Sequence, residues 1–174
     1  ALQGWEIDGR PFFDSAHPLS RPGVDGLLTG TNRHATDAAL SISSLDAAYT
    51  ALRTTKDDSG RWLSFMTPKY LDVHPALVPY ATTLMRTGKV LGSNNNDVNI
   101  YANALTIRAN PRFRYTNFWM LSAEDHGCIW MNRESAHMET EVDKMARFSA
   151  FATFARYGYG AEDWRGYFGS RGPV

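Results

Sequence analysis

Turn-forming residues punctuate this chain at Asp8-Gly9, Asp58-Ser59-Gly60, Thr67-Pro68, Gly88, Asn94-Asn95-Asn96-Asp97, Asn110-Pro111 and Glu124-Asp125-His126-Gly127. Glycine opens left-handed backbone, proline removes an amide donor, and Asn and Asp bond back to their own main chain, so regular structure stops at such places. Up to Gly127, the elements between them must be short. They read as helices and strands mixed along the chain, an α+β arrangement.

Asp8-Gly9 lies between aromatic and β-branched residues, and Trp5 to Phe13 is expected to form a hairpin. From His17 to Asp37 the Pro, Gly, Thr and Asn content predicts a long loop. Ser43 or Ser44 can cap a helix whose residues Leu45, Ala48, Tyr49 and Leu52 share one face, ending near Asp57. Arg61 to Met66 reads as a strand closed by Thr67-Pro68. A second helix is expected over Ala76 to Thr87, with Pro79 in its first turn and Gly88 as a left-handed C-terminal residue. Val98, Ile100, Leu105 and Ile107 predict a strand. Asn117 to Ser122 and Cys128 to Asn132 predict two more, paired as a second hairpin through the turn at 124–127. In Lys144 to Tyr157 the spacing of Met145, Phe148, Phe151 and Phe154 favours a helix on pattern alone. The glycine and aromatic tail, 158–169, reads as irregular.

Apolar residues make up 43% and charged residues 21% of the 174 residues, a balance that excludes wholesale disorder. Eighteen basic residues against 18 acidic ones leave no net field to draw the chain onto nucleic acid. The single cysteine, Cys128, can form no internal disulfide, and no Asn-x-Ser/Thr acceptor occurs, which fits a cytosolic setting. Neither a membrane-length apolar run nor an export signal is present in the sequence.

Reactive constellations are weak. Asp14, Ser15 and His17 are the residue types of a hydrolytic relay, yet sequence neighbours seldom align as one, and no Gly-x-Ser-x-Gly elbow exists. Cys128 follows Asp125 and His126, but a lone thiol in an alternating strand reads as a small hydrophobe. Glu134, His137 and Glu141 would share one side of a helix in a metal-binding spacing, without the second motif that such sites use. Asn94 to Asp97 lacks the alternating acids of a calcium loop, and Gly158 and Gly160 lack the Lys and Ser/Thr of a phosphate cradle. No catalytic residue, cofactor or metal is expected. A small cytosolic hydrolase or metalloenzyme using His17, His126 or His137 is the rival from another class.

The ordered segments resemble a known family. Asp8-Gly9-Arg10-Pro11-Phe12-Phe13 followed by Ala16-His17-Pro18 is similar to the extended-loop segment of tailed-phage major capsid proteins with the fold named after phage Hong Kong 97. Ser44 to Asp57 and Gly60-Arg61-Trp62-Leu63 resemble that family's helix, turn and strand. Thr67-Pro68-Lys69-Tyr70-Leu71, Ala81-Thr82-Thr83-Leu84-Met85, Asp97-Val98-Asn99 and Asn117-Phe118-Trp119-Met120-Leu121 resemble its next segments. Phe154-Ala155-Arg156-Tyr157-Gly158 with Asp163-Trp164-Arg165-Gly166 resembles its closing strand and turn. The likeness covers nearly the whole chain, falls in the branch like the Mu major head subunit, and corresponds to the C-terminal, larger part of such proteins. A start at Ala1 fits an upstream arm that was removed or is absent.

What the resemblance implies is a Hong Kong 97-type α+β fold: an extended hairpin loop with its connection (1–36), a peripheral domain of helix and long strands (37–75 and 129–157), and an axial domain of mixed sheet with flanking helices (76–128 and 158–174). It turns the helical reading of Lys144 to Tyr157 into strand. It implies a structural, non-enzymatic role in an icosahedral shell, located in the virion capsid and assembled in the bacterial host cytoplasm. The partners implied are copies of the chain in hexamers and pentamers, with decoration, portal or scaffold proteins, packaged DNA held only non-specifically, and no membrane. Trp5, Phe12, Phe13, Asp163, Trp164 and Arg165 are the candidate subunit-interface residues. An isopeptide cross-link from the extended loop is not expected, since no lysine precedes Lys56. An encapsulin-like nanocompartment resembles the same fold.

Overall fold

The computed structural model describes residues 6–7, 10–19, 29–63, 65–90, 97–124, 126–143, 145 and 147–173. They form an α+β protein with two units: Ala1–Gly127 with Asp163–Val174, and Cys128–Glu162. In chain order the strands are β1 (Glu6–Ile7), β2 (Arg10–Pro11), β3 (His17–Pro18), β4 (Thr29–Gly30), β5 (Pro68–Val73), β6 (Thr106–Ala109), β7 (Trp119–Ala123), β8 (Cys128–Asp143), β9 (Phe148–Ala161) and β10 (Tyr167–Ser170). The helices are α1 (Ile42–Arg53) and α2 (Val78–Arg86).

In the first unit, α1 starts at Ser41, whose hydroxyl accepts from the Ser44 amide while the Ser44 hydroxyl accepts from the Ser41 amide. This reciprocal cap satisfies two of the amides that a helix start leaves without partners. Ser41, not Ser43 or Ser44, is therefore the cap residue. Leu45, Ala48 and Leu52 recur on one face and are buried against a four-stranded sheet of order β10-β7-β5-β6. Leu71 and Val73 from β5, Trp119 and Leu121 from β7, and Ala81, Leu84 and Met85 from α2 complete the core. Each fully buried aliphatic side chain contributes about 1.5–3 kcal/mol of transfer free energy. β5 and β6 run parallel and are joined through α2, whereas β7 is antiparallel to both β5 and β10.

Tyr101, from the turn before β6, packs on Tyr49 of α1 and donates its hydroxyl proton to Asp46. Burial first, and the Asp46 carboxylate second, push its phenol up to about 12.

Several sequence expectations change here. The strand expected over Arg61 to Met66 is instead β5, which begins at Pro68, because proline is tolerated as a first strand residue where no ladder amide is needed. Trp62 forms only an isolated bridge with Lys56. The second helix runs over 78–86 after a single 3₁₀ turn at Pro75–Leu77, and it ends through Thr87 in extended backbone rather than through a left-handed Gly88. Val98 to Leu105 is not strand: the Asn99 side chain donates to the carbonyls of Leu84 and Thr87 and so caps the end of α2, and only Thr106–Ala109 pairs with β5. Strands β7 and β8 are not partners in a hairpin, since β7 lies between β5 and β10 while β8 pairs with β9. The tail is regular, with β9 reaching Ala161 and β10 filling Tyr167–Ser170. Helix α1 and strand β5 share one core with α2 and β7, while the long strands cluster separately.

Near the N-terminus, β1 pairs antiparallel with β2 and β3 with β4. The short hairpin expected around Asp8-Gly9 is present, although Trp5, Asp8 and Gly9 lie outside the described residues.

The second unit is one antiparallel pair. Strands β8 and β9 are in register from Cys128↔Ala161 to Asp143↔Phe148, with irregularities between Asn132 and Glu134 and between Glu134 and His137. Strand, not helix, is the state of Lys144 to Tyr157 from Phe148 onward, as the family resemblance implied.

Candidate interaction surface

A two-stranded ribbon has no interior. Side chains alternate between its two faces, and in water such a pair is marginally stable unless something covers it. Strands β8 and β9 hold 16 and 14 residues. From Met131 to Val142 and from Arg147 to Tyr157 every described side chain is exposed.

The two faces differ in chemistry. Strand β9 is unbroken, so Ser149, Phe151, Thr153, Tyr157, Tyr159 and Ala161 point one way, together with their register partners Val142, Thr140, Met138, Asn132, Trp130 and Cys128. None of these register-paired residues is charged. Trp130 stacks on Tyr157 with centroids 4.8 Å apart and planes 15° from parallel, and lies 6.2 Å from Tyr159. Cross-strand aromatic pairing of this kind stiffens a ribbon by about 0.2–1 kcal/mol per pair. Even so, Trp130 is 64% exposed, Phe151 66%, Met138 66% and Tyr159 61%. Large apolar groups on one face, left in water, mark an interaction surface.

The opposite face pairs Glu134 with Arg156, His137 with Phe154, Glu139 with Ala152 and Glu141 with Ala150. His137 sits between two acids, its Nδ1 3.6 Å from Glu134 and its Nε2 3.3 Å from Glu139. The Ser135 carbonyl, and then the Glu139 carboxylate, hold the imidazolium above the ordinary histidine value. The helical face on which Glu134, His137 and Glu141 were weighed and set aside as metal ligands does not form, because these residues lie on a strand with irregular register. Among the described residues no cluster of three or more His, Cys, Asp or Glu is placed to hold a metal ion.

The residues expected at subunit contacts lie in the first unit. Phe12 and Phe13 were expected on an exposed hairpin but are internal, with Phe12 0% and Phe13 9% exposed. Phe12 packs edge-on against Phe13 and Tyr167, and Phe13 against Phe118, so two adjacent rings close the N-terminal segment onto β10 and the start of β7. The alternation that would send one of them outward is lost because residues 12–13 are a bend after β2, not strand. Trp164 is likewise buried. Arg165 is only 11% exposed at its side chain, donating to the Lys56 carbonyl at 2.9 Å and pairing with Asp58 and Asp163. These bonds tie the turn after α1 to the segment that follows β9. Trp5 lies outside the described residues.

The reactive groups weighed from sequence are structural where described. Nε2 of His17 lies 3.2 Å from both the Phe12 carbonyl and Oδ1 of Asn32; both are acceptors, so this nitrogen carries the proton and donates. Asn32 also donates to Phe12 and accepts from the Asp14 amide. This fully buried imidazole is a structural hydrogen-bond donor. Cys128 opens β8 half-buried, and His126 packs at 5.2 Å from Tyr167. Asp125 lies outside the described residues.

Sequence reasoning missed the ribbon surface itself. Its signal is the alternation in 148–161, where the odd-numbered positions carry no charge. The threefold phenylalanine spacing hid that signal, since Phe148 and Phe154 fall on one face and Phe151 on the other.

No helix among the described residues is long and apolar enough to cross a membrane. No curated protein and no solved structure matches the chain. A family model described as "Phage capsid protein" matches residues 9–168, which includes the whole ribbon and the core sheet up to the first half of β10. The uncovered apolar ribbon and that match over most of the sequence lead to one conclusion: the chain belongs to the phage capsid protein family, whose role is structural.

Proposed function

We infer that the chain is the major capsid (head) subunit of a tailed phage or prophage, of the Hong Kong 97 fold and the Mu-like branch. In this reading its copies form hexamers and pentamers that close into an icosahedral shell around the DNA genome, assembled in the host cytoplasm. The observation that carries it is the ribbon. Thirty strand residues with an uncharged aromatic face have little reason to stay ordered in a solitary molecule, whereas copies of one subunit in a shell cover such a face at every position. Contacts that are individually weak then suffice, because each subunit makes several at once. Portal, scaffold and decoration proteins are further partners in this reading.

The test is electron microscopy and nucleic-acid extraction of particles formed by the full-length protein in its host. Uniform closed shells holding genome-length DNA are expected. Closed particles filled with protein cargo and free of DNA would replace the phage reading with a nanocompartment.

A further inference from the structure

The acid-bearing face of the ribbon has a counterpart on the other unit. On β8, Glu139 and Glu141 stand two residues apart on one face, opposite Ala152 and Ala150. Alanine leaves the space beside each carboxylate open. Phe154, opposite His137, bounds the site at one end. Glu139 is held by His137, and among the described residues Glu141 has no basic partner. In a strand, side chains two residues apart on one face are separated by about 7 Å.

Between β6 and β7 the chain carries Arg112 and Arg114, also two residues apart and both exposed. The sequence from Val98 to Ala123 contains three arginines and no acidic residue. Arg108 is taken by Asp72, whereas Arg112 and Arg114 have no acidic partner among the described residues. One further group, Arg171, marks the same patch as cationic. The guanidinium of Arg171 lies 4.1 Å over the Tyr115 ring, with that of Arg114 at 5.7 Å. Nε of Arg171 is buried and has no hydrogen-bond partner among the described residues.

We propose that Arg112 and Arg114 of one subunit dock on Glu139 and Glu141 of a second copy of this chain. The charges are opposite, both pairs are exposed, and guanidinium groups pair with carboxylates in two-pronged geometry. Such pairs set register and partner choice more than raw affinity, so they would fix where an otherwise slippery apolar ribbon comes to rest. This rests on the self-assembly proposed above.

Charge exchange between copies tests it. The variants R112E/R114E and E139R/E141R, each alone, are expected to lower shell yield at least tenfold, as measured by sedimentation and electron microscopy. Mixing the two restores association between unlike copies, because each then offers the partner that the other lacks, and a chain that carries all four changes restores closed shells. Rescue by the four changes in one chain with no association of unlike copies in the mixture would place the contact within a subunit and overturn the proposal. So would unchanged assembly of either variant, or full assembly of the neutral pair R112Q/R114Q with loss only of packaged DNA, which would assign the patch to phosphate. The neutral pairs R112Q/R114Q and E139Q/E141Q change exposed residues without reversing charge. If the reversed variants do not fold, these are expected to assemble at reduced yield, and normal yield from both would overturn the proposal. If the wild-type protein itself forms no shells, the functional reading fails before this one is reached.

Discussion

The imidazole of His17 lies flat on the indole of Trp164, with ring centroids 4.6 Å apart and planes 9° from parallel. One residue precedes the core in sequence and the other follows the ribbon, so this contact joins the two ends of the first unit. Asn32 strengthens it by donating to the Phe12 carbonyl at 2.6 Å and to the Trp164 carbonyl at 3.4 Å. Trp164→Ala is therefore expected to cost about 3–5 kcal/mol of unfolding free energy, read from urea denaturation. Gly30 tests the same packing from the other side: a Cβ there would run into the Trp164 ring. Gly30→Ala should cost about 1–3 kcal/mol by overpacking.

Arg108 on β6 grips Asp72 on β5 through two bonds of 2.7 and 2.6 Å, and Ser122 on β7 donates to the same carboxylate at 3.1 Å. Asp72 is buried, whereas the Arg108 side chain is 43% exposed, so the pair is partly screened. Removing Arg108 leaves the carboxylate with two hydrogen bonds fewer in a poorly solvated place. A double-mutant cycle of Arg108→Ala and Asp72→Ala is expected to give a coupling of about 1–3 kcal/mol. Additive single effects would show that the pair does not hold the edge strand.

The Arg33 guanidinium holds the Asp37 carboxyl below the usual aspartate value, and the Arg171 amide adds to this, while burial opposes both. A group whose folded-state value is depressed favours the folded protein most above its ordinary value and loses that contribution as pH falls toward the folded one. Wild-type stability should accordingly decline below about pH 4, near the ordinary value for aspartate. Thermal unfolding of Asp37→Asn across the acid range is expected to show a shallower decline, and an unchanged slope would remove Asp37 from the acid response.

The capped helix, the second helix and the strand at Trp119–Ala123 were legible because each has a local signal: a serine before a helical period, a proline in a first turn, and an apolar run before a polar turn. What was not legible is pairing. β5 is central although it opens with Pro68, and its place depends on β6, joined through α2, and on β7 much further along the chain. The turn at 124–127 looked like a hairpin turn, yet the chain passes from one sheet to another there. Gly127 makes this possible, since a Cβ at that position would stand 2.7 Å from Asp163, where the chain returns from the ribbon. The exposure of Phe12 and Phe13 was misread for a related reason. Exposed and buried aromatics look alike in sequence, and Phe12 and Phe13 find partners in Phe118 and Tyr167 more than a hundred residues away.

The most direct test of the central claim uses the ribbon's uncharged face. Trp130→Ser/Phe151→Ser changes two exposed residues that lie outside the buried core of the first unit. Sedimentation velocity with electron microscopy, alongside thermal unfolding, should find closed particles for the wild-type protein and only unassembled subunits of unaltered melting temperature for the variant. Shells of normal size and yield from the variant would contradict the account.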